Sequence, residues 1–384
     1  MQREDYQKYI PFGDLGLIVM DSSSELGQKI DDHLIQMRKM SFKDDNMVPE
    51  TYRIDKREIR FSNGEGKVFL EETVRGKDIY ILTDIGNYNM TYSLYGFENR
   101  KSPDDHIQDL KRVLSAMAGK ARRITVLMPL LYASRQHSRK GRESLDCAMA
   151  LQELETLGVN DILTFDAHDP TIQNAIPLIS FENLYPTFDI VKMFLEDEHD
   201  ISSDIENMLI ISPDTGAMDR AIFYSGVLGY DIGLFYKRRD HSRVVRGKNP
   251  IVQHEYIGRS VEGSNILIVD DMIASGESVF DIALELRRRM AGKIFVATTF
   301  ALFTEGIEKF NKFYEDGIIE RVYTTNLSYL PENVKKQPWL REVDMSYYIS
   351  RIINRLNYDV SISDLLDARK GIRALIDLKS KTSK

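Results

Sequence analysis

The chain has 384 residues, 42% of them hydrophobic and 29% charged, with a formal charge of −8, a composition that predicts a globular protein of two domains more readily than one. The acidic balance argues against a nucleic-acid binder, which would carry a basic face, and no run reaches the roughly 18 apolar residues that a membrane span needs. The single cysteine, Cys147, excludes an internal disulfide framework and a multi-thiolate metal site; with no apolar core in MQREDYQKYI at the N-terminus, the expected location is the cytoplasm.

In chain order, residues 1–14 read as an N-terminal extension. Leu15–Met20 (LGLIVM) has the apolar run of a buried strand. Serines follow it, and then Leu26, Ile30 and Leu34 recur at helical spacing. One of those serines is placed to cap the helix. The polar stretch 40–56 reads as an exposed loop. Further strands are expected at Asp78–Leu82, Arg123–Met128, Asp161–Phe165, Met208–Ile211, Ile232–Phe235, Asn265–Val269 and Ile294–Thr298. Helical patterns lie between several of them, at 107–118, 145–157 and 279–290. Strands alternating with helices predict parallel sheets with crossover helices. The acidic run EDEHDISSD begins at Glu196 and divides the pattern, giving expected domains at 15–195 and 196–343. From residue 344 onward two apolar stripes predict a helical tail: Met345, Tyr348, Ile349, Ile352, Ile353 and Leu356, then Leu365, Leu366, Ile372, Leu375 and Ile376. Two basic clusters, Arg135–Arg142 and Lys237–Lys248, taken alone are surface loops.

The most specific signal is NILIVDDMIASGES at 265–278. A buried strand ends in two carboxylates, Asp270 and Asp271, and a small-residue loop leads into a helix near Val279. Ligands of parallel α/β sheets bind at the carboxyl ends of strands, and a helix N-terminus suits a phosphate. Ala274, Ser275, Gly276 and Ser278 leave room for phosphate oxygens to approach the backbone. The aspartates suit ribose hydroxyls or a hydrated Mg²⁺.

This segment resembles the phosphoribosyl pyrophosphate loop shared by phosphoribosyltransferases and ribose-phosphate pyrophosphokinases. Further segments resemble the pyrophosphokinases: RFSNGE from Arg60, VRGK from Val74, PLLYASRQ from Pro129, DAHDPTIQ from Asp166, SPDTGAMDR from Ser212 and YKRR from Tyr236. They occur in the family's order, and the resemblance spans roughly residues 15–330. It implies two doubly wound parallel-sheet domains of phosphoribosyltransferase type, with ATP and ribose 5-phosphate as substrates and Mg²⁺ as cofactor. It further implies that Phe61, Asn63, Glu65, Arg135, Gln136 and His168 bind ATP, with His168 and Asp214 as metal ligands. Asp270, Asp271, Ala274, Ser275, Gly276, Glu277 and Ser278 would hold ribose 5-phosphate. Lys237 and Arg239 would be catalytic, carried in the family by a mobile loop that closes over the nucleotide, and the polar run from Arg238 to Gln253 suits such a lid. A homo-oligomer, dimer or hexamer, is expected, with Arg135 and Gln136 completing a neighbour's nucleotide site.

Three positions depart from the family pattern. Asn63 stands where the family has Asp, Ala274 where the synthetase loop has an acid, and Glu277 where glycine is usual. Two alternatives stand beside the active enzyme. A non-catalytic regulatory subunit would be expected to lose the Lys237–Arg239 pair or the metal ligands. A phosphoribosyltransferase would have no reason to carry the Phe61–Glu65 and Arg135–Gln136 elements.

Overall fold

The structure is a computed structural model and describes residues 6, 8–42, 48–139, 141–198, 205–239 and 251–382. The chain divides into two compact units of three segments each. The first comprises Met1–Tyr185, Asn326–Tyr329 and Asp344–Leu366; the second comprises Pro186–Thr325, Leu330–Val343 and Asp367–Lys384.

In the first unit Leu15–Val19 forms strand β1, buried along its whole length, as a run apolar on both faces requires. Helix α1 (Ser24–Ser41) buries Leu26, Ile30 and Leu34. Ser23 occupies its N-cap position without making a side-chain capping bond. The neighbouring Ser22 instead accepts from the Asp84 N–H at 3.2 Å. Two hairpins follow that the apolar pattern did not reveal. One is β2 (Lys56–Arg60) with β3 (Gly66–Leu70). After β4 (Asp78–Leu82) comes the other, β5 (Thr91–Leu94) with β6 (Phe97–Arg100). Helix α2 (Pro103–Met117) begins with a capping box between Ser102 and Asp105. Strand β7 (Arg123–Leu127), helix α3 (Asp146–Thr156), β8 (Asp161–Phe165) and β9 (Ser180–Leu184) complete the run. The strands β1, β4, β7, β8 and β9 lie side by side in chain order, and every pair is parallel.

The second unit opens with helix α4 (Thr187–Asp197), β10 (Met208–Ser212) and α5 (Met218–Leu228). Strands β11 (Asp231–Arg239), β12 (Ile251–Ile257) and β13 (Asn265–Ile273) follow, then helix α6 (Glu277–Arg288) and β14 (Ile294–Ala301). Helix α7 (Glu308–Glu315), β15 (Arg321–Thr325), α8 (Glu332–Lys335) and β16 (Leu340–Val343) finish the sheet. Its order is β12-β11-β10-β13-β14-β15-β16, parallel except for the β11–β12 pair. The chain runs outward from β10 through β11 to β12, then returns to the other side of β10 with β13. That reversal is a topological switch point, the usual ligand position in open α/β sheets.

Two expected boundaries move. The strand expected to end at Val269 continues to Ile273, with Asp270 paired to Thr298 and Met272 to Phe300 of β14. The strand expected to end at Phe235 continues to Arg239, so Lys237 and Arg239 lie in β11, opposite His254 and Ile251. They are therefore not the start of a loop. Of the expected lid, residues 240–250 lie outside the described residues.

The C-terminal stripes divide between the units. Helix α9 (Ser346–Asn357) buries Ile349, Ile352 and Ile353 completely and belongs to the first unit. The second stripe makes two helices, α10 (Ser363–Leu366) in the first unit and α11 (Ala368–Thr382) in the second. Helix α9 is anchored by buried polar groups: Asn357 donates to Asp78 at 2.8 Å and accepts from Arg38 at 2.6 Å. Asp78 also accepts two bonds from Arg123, at 2.7 and 2.8 Å.

Candidate active site

Phe61, Asn63 and Glu65 form the turn of the β2–β3 hairpin. The Phe61 N–H donates to the Glu65 carbonyl at 2.7 Å, and the Gly64 N–H donates to the Phe61 carbonyl at 2.8 Å. Gly64 has φ +90°, a value that favours glycine. Asn63 uses both ends of its amide: Oδ1 accepts from the Glu65 N–H at 3.1 Å, and Nδ2 donates to the Glu65 carboxylate at 3.1 Å. An Asp there would place like charges together, so Asn63 and Glu65 fit as a pair. Below the turn, Arg60 bonds Asp109 at 2.9 Å, Lys101 bonds Asp109 at 2.9 Å, and Lys56 bonds Glu58 at 2.7 Å. This largely buried network holds the hairpin base on α2. The Tyr95 N–H, from the β5–β6 turn, donates to the Ser62 carbonyl at 2.9 Å and braces the other side. The Phe61 ring is nevertheless 48% exposed, a flat apolar surface on a rigid mount.

The loops after β7 and β8 leave neighbouring parallel strands, so their starting points lie side by side. Each carries a non-glycine residue in the left-handed region: Asp166, directly after β8, at φ 44°, and Ala133, just before the Ser134–Gln136 turn, at φ 51°. Such backbone strain gathers at ligand sites. Arg135 and Gln136 lie in a single turn, Ser134–Gln136, with both side chains exposed and Ser134 buried. His168 is exposed on the β8 loop, its ring 5.6 Å from that of His137. His137 Nε2 stands 3.2 Å from Asp169 Oδ2. Asp169 Oδ1 accepts from the Thr171 N–H at 2.8 Å and from its hydroxyl at 2.7 Å. Those Thr171 bonds, with the neighbouring His137 and His168, hold the Asp169 carboxyl below its usual range, outweighing partial burial. His137 and Asp169 were not singled out from the sequence. Each lies beside a predicted residue, but only the fold brings them together.

In the second unit Asp214 lies just past the end of β10, and Asp270 lies within β13, three residues before its end, on the two sides of the switch point. Asp214 accepts from the N–H groups of Gly216 and Ala217, at 2.9 and 3.3 Å. Asp270 accepts from the Asp271 N–H at 2.9 Å, and Asp271 from the Met272 N–H at 2.8 Å. Burial pushes the Asp270 carboxyl well up, the charge on Asp271 adds to this, and Arg220 opposes it. A bound cation or a donating hydroxyl would relieve that strain. After β13 the loop Ala274–Gly276 meets α6. Gly276 has φ +84°, and a Cβ there would fall 2.8 Å from the Phe310 ring and 2.9 Å from that of Phe280. Ser275 Oγ accepts from the Glu277 N–H at 3.4 Å. Glu277 is exposed at the first helical position, where a carboxylate offsets the helix dipole. Ser278 follows one residue into the helix.

Among the described residues, no three His, Cys, Asp or Glu side chains converge as a metal cage. Mg²⁺ does not require one: it keeps several waters and binds through one or two protein groups and substrate phosphates. The oxygen donors at the switch point suit such a hard cation. No described helix is long and apolar enough to cross a membrane.

The comparisons agree across both units. Residues 15–158 match the family model for the N-terminal domain of ribose phosphate pyrophosphokinase, and residues 241–367 match that for the phosphoribosyl synthetase-associated domain. A ribose-phosphate pyrophosphokinase of Vibrio vulnificus is 28% identical over 313 residues, 80% of this chain and 90% of its own length. That of Vibrio parahaemolyticus is 27% identical over 359 residues, 92% of this chain and 99% of its own length. The crystal structure of phosphoribosylpyrophosphate synthetase from Mycobacterium smegmatis shares the fold, with a TM-score of 0.71 at 20% identity over 89% of this chain and 98% of that one. Fold and loop together define an α/β protein of the phosphoribosyl class, with paired carboxylates and a small-residue loop at a sheet's switch point. Within that class the chain belongs to the ribose-phosphate pyrophosphokinase family.

Proposed function

We propose that this enzyme transfers the β,γ-diphosphoryl group of ATP to the 1-hydroxyl of ribose 5-phosphate. The hydroxyl oxygen bonds to the β-phosphorus, the bond from that phosphorus to the α,β-bridging oxygen breaks, and AMP leaves. The observation that carries the reading is the loop after β13. Asp270 and Asp271 precede a small-residue turn at the N-terminus of α6, in a chain matching pyrophosphokinase models in both halves.

Each unit contributes residues suited to its part. In the first, Phe61 offers its exposed ring to the adenine, with Asn63 and Glu65 fixing the turn. Arg135, Gln136 and His168 face solvent from adjacent loops and suit the rest of the nucleotide. In the second, Asp270 and Asp271 suit the ribose hydroxyls, and Ala274, Ser275, Gly276, Glu277 and Ser278 enclose its 5-phosphate. Lys237 and Arg239, in β11, neutralise charge that develops as the diphosphoryl group moves, the role such donors play in phosphoryl transfer. His168 and Asp214 are each read as ligands to Mg²⁺ accompanying ATP. Bound Mg²⁺ supplies charge neutralisation on the phosphate oxygens. Assembly into a homo-oligomer, with Arg135 and Gln136 serving a neighbouring copy, belongs to the same reading.

The test is incubation of the chain with ATP, Mg²⁺ and ribose 5-phosphate, followed by chromatography and ³¹P NMR. AMP and a sugar 1-diphosphate are expected in equal amounts. Formation of ADP, or no sugar-dependent loss of ATP, would overturn the proposal.

A further inference from the structure

We infer that His137 and Asp169 form a positioning pair that ties the loop bearing Arg135 and Gln136 to the loop bearing His168. This rests on the nucleotide-binding reading above and deepens it. The geometry assigns each atom a task. Ser134 offers a carbonyl, which can only accept, so His137 Nδ1 carries the proton of their 3.0 Å bond. The opposite ring atom, Nε2, stands 3.2 Å from Asp169 Oδ2, and because a carboxylate likewise only accepts, this contact is a hydrogen bond when Nε2 carries a proton as well. Asp169 is itself fixed, because its other oxygen takes both the N–H and the hydroxyl of Thr171. The imidazole thus spans from the single turn carrying Arg135 and Gln136 to the start of the next loop, one residue after His168.

Neither loop has other regular structure at this point. The segment from Ala133 to His137 has one short turn, and Asp166 to Asp169 has none until the Pro170–Ala175 turn begins. Each carries a residue in left-handed backbone that must be held from outside. The side chains of His137 and Asp169 are 22% and 31% exposed, and a pair so accessible adds little to global stability. Its value is geometric. It sets the spacing of groups proposed to grip one nucleotide, and small displacements there cost binding and rate far out of proportion to stability.

The side-chain chemistry supplies a selective test. His137→Gln keeps a donor near the Nε2 position and so keeps the bond to Asp169. His137→Asn keeps a donor near Nδ1, retaining the Ser134 bond but releasing Asp169. Kinetics of the full-length chain and calorimetric binding of a non-hydrolysable ATP analogue with Mg²⁺ would be measured beside thermal unfolding. For His137→Asn and His137→Ala we expect KM for ATP and Kd for the analogue to rise about tenfold. KM for ribose 5-phosphate and kcat should change less than about twofold, and His137→Gln should recover most of the loss. Asp169→Ala should match His137→Ala, and the double variant should be no worse than either, as for two residues acting as one unit. Wild-type activity with equal nucleotide affinity in all variants would overturn the pairing while leaving the enzyme reading intact. Affinity that follows only a fall in thermal stability would also overturn it. A wild-type chain that makes no AMP and does not bind the analogue would overturn both.

Discussion

The backbone N–H of Tyr329 donates to the buried carboxylate of Asp84 at 2.7 Å. The same carboxylate accepts from the Gly86 N–H at 2.8 Å and the Ser328 hydroxyl at 3.0 Å, pinning the short segment 326–329 to the end of β4. Burial pushes the Asp84 pKa from 3.8 up to about 6 in spite of these three donors. The folded state therefore holds a proton that the unfolded chain releases at lower pH. The part of the carboxyl's contribution that is linked to protonation then rises as pH falls from about 6 towards 4 and is absent above that window, where the three hydrogen bonds remain. Asp84→Ala strands three donors and should cost about 2–4 kcal/mol. That cost should grow by about 1 kcal/mol between pH 7 and pH 5. Urea unfolding of both proteins at the two pH values measures it. A smaller cost at pH 5 would contradict the assignment.

Asn357 is the second buried anchor. Its amide donates to Asp78 and to the Gly13 carbonyl, at 2.8 and 3.0 Å, and accepts from Arg38. Asn357→Ala leaves two charged groups each short of one partner, so a loss of about 2–4 kcal/mol is expected. Asn357→Asp should be worse, because it places a second carboxylate against buried Asp78. If Asp at 357 is as stable as Asn, the bond to Asp78 does not matter.

Gly276 is predicted to tolerate no side chain. Alanine would have to adopt φ +84° with its Cβ against two aromatic rings, at a cost of about 2–5 kcal/mol from backbone and overpacking together. A Phe310→Leu background should recover part of that loss if the ring contact matters. Thermal melts of the single and double variants give the comparison.

Lys237 and Lys248 share one basic run; Lys237 lies in β11, and Lys248 lies outside the described residues. If Lys237 stabilises charge that develops during transfer, its benefit is larger in the transition state than in the bound ground state. Lys237→Ala should then lower kcat by about 10²–10³ with little change in ATP binding. Lys248→Ala should have a much smaller effect. Equal, small losses at both positions would return the run to a solvated surface role.

The sequence was legible where burial left a repetitive mark. Runs such as LGLIV and NILIV had to be strands because both faces are covered, and Leu26, Ile30 and Leu34 had to be one helical face. It was least legible where polar groups are buried in pairs. KREIR reads as surface, yet Arg60 is neutralised by Asp109, Glu58 by Lys101 and Lys56, and Lys56 by Glu58 and Asp21, so β2 carries no apolar signature. The same holds for Asp270 and Asp271, whose charge suggested a strand end although β14 supplies ladder partners to Ile273. In the site, motif order led to Phe61, Arg135, His168 and the loop after β13. His137 with Asp169 and Asn63 with Glu65 are relationships between side chains, and those need coordinates.

The interleaved segments of the two units bear on how such a gene can be cut and recombined. Each unit is assembled from three stretches of chain, so no single pair of breakpoints lifts either one out whole. A fragment ending at Tyr185 would retain β4 and its buried Asp78 but lose Asn357, and would retain Asp84 but lose Ser328 and Tyr329. Exchange of one unit between relatives would have to carry all three stretches together, so chimaeras with a single crossover near residue 185 should inherit mismatched anchors.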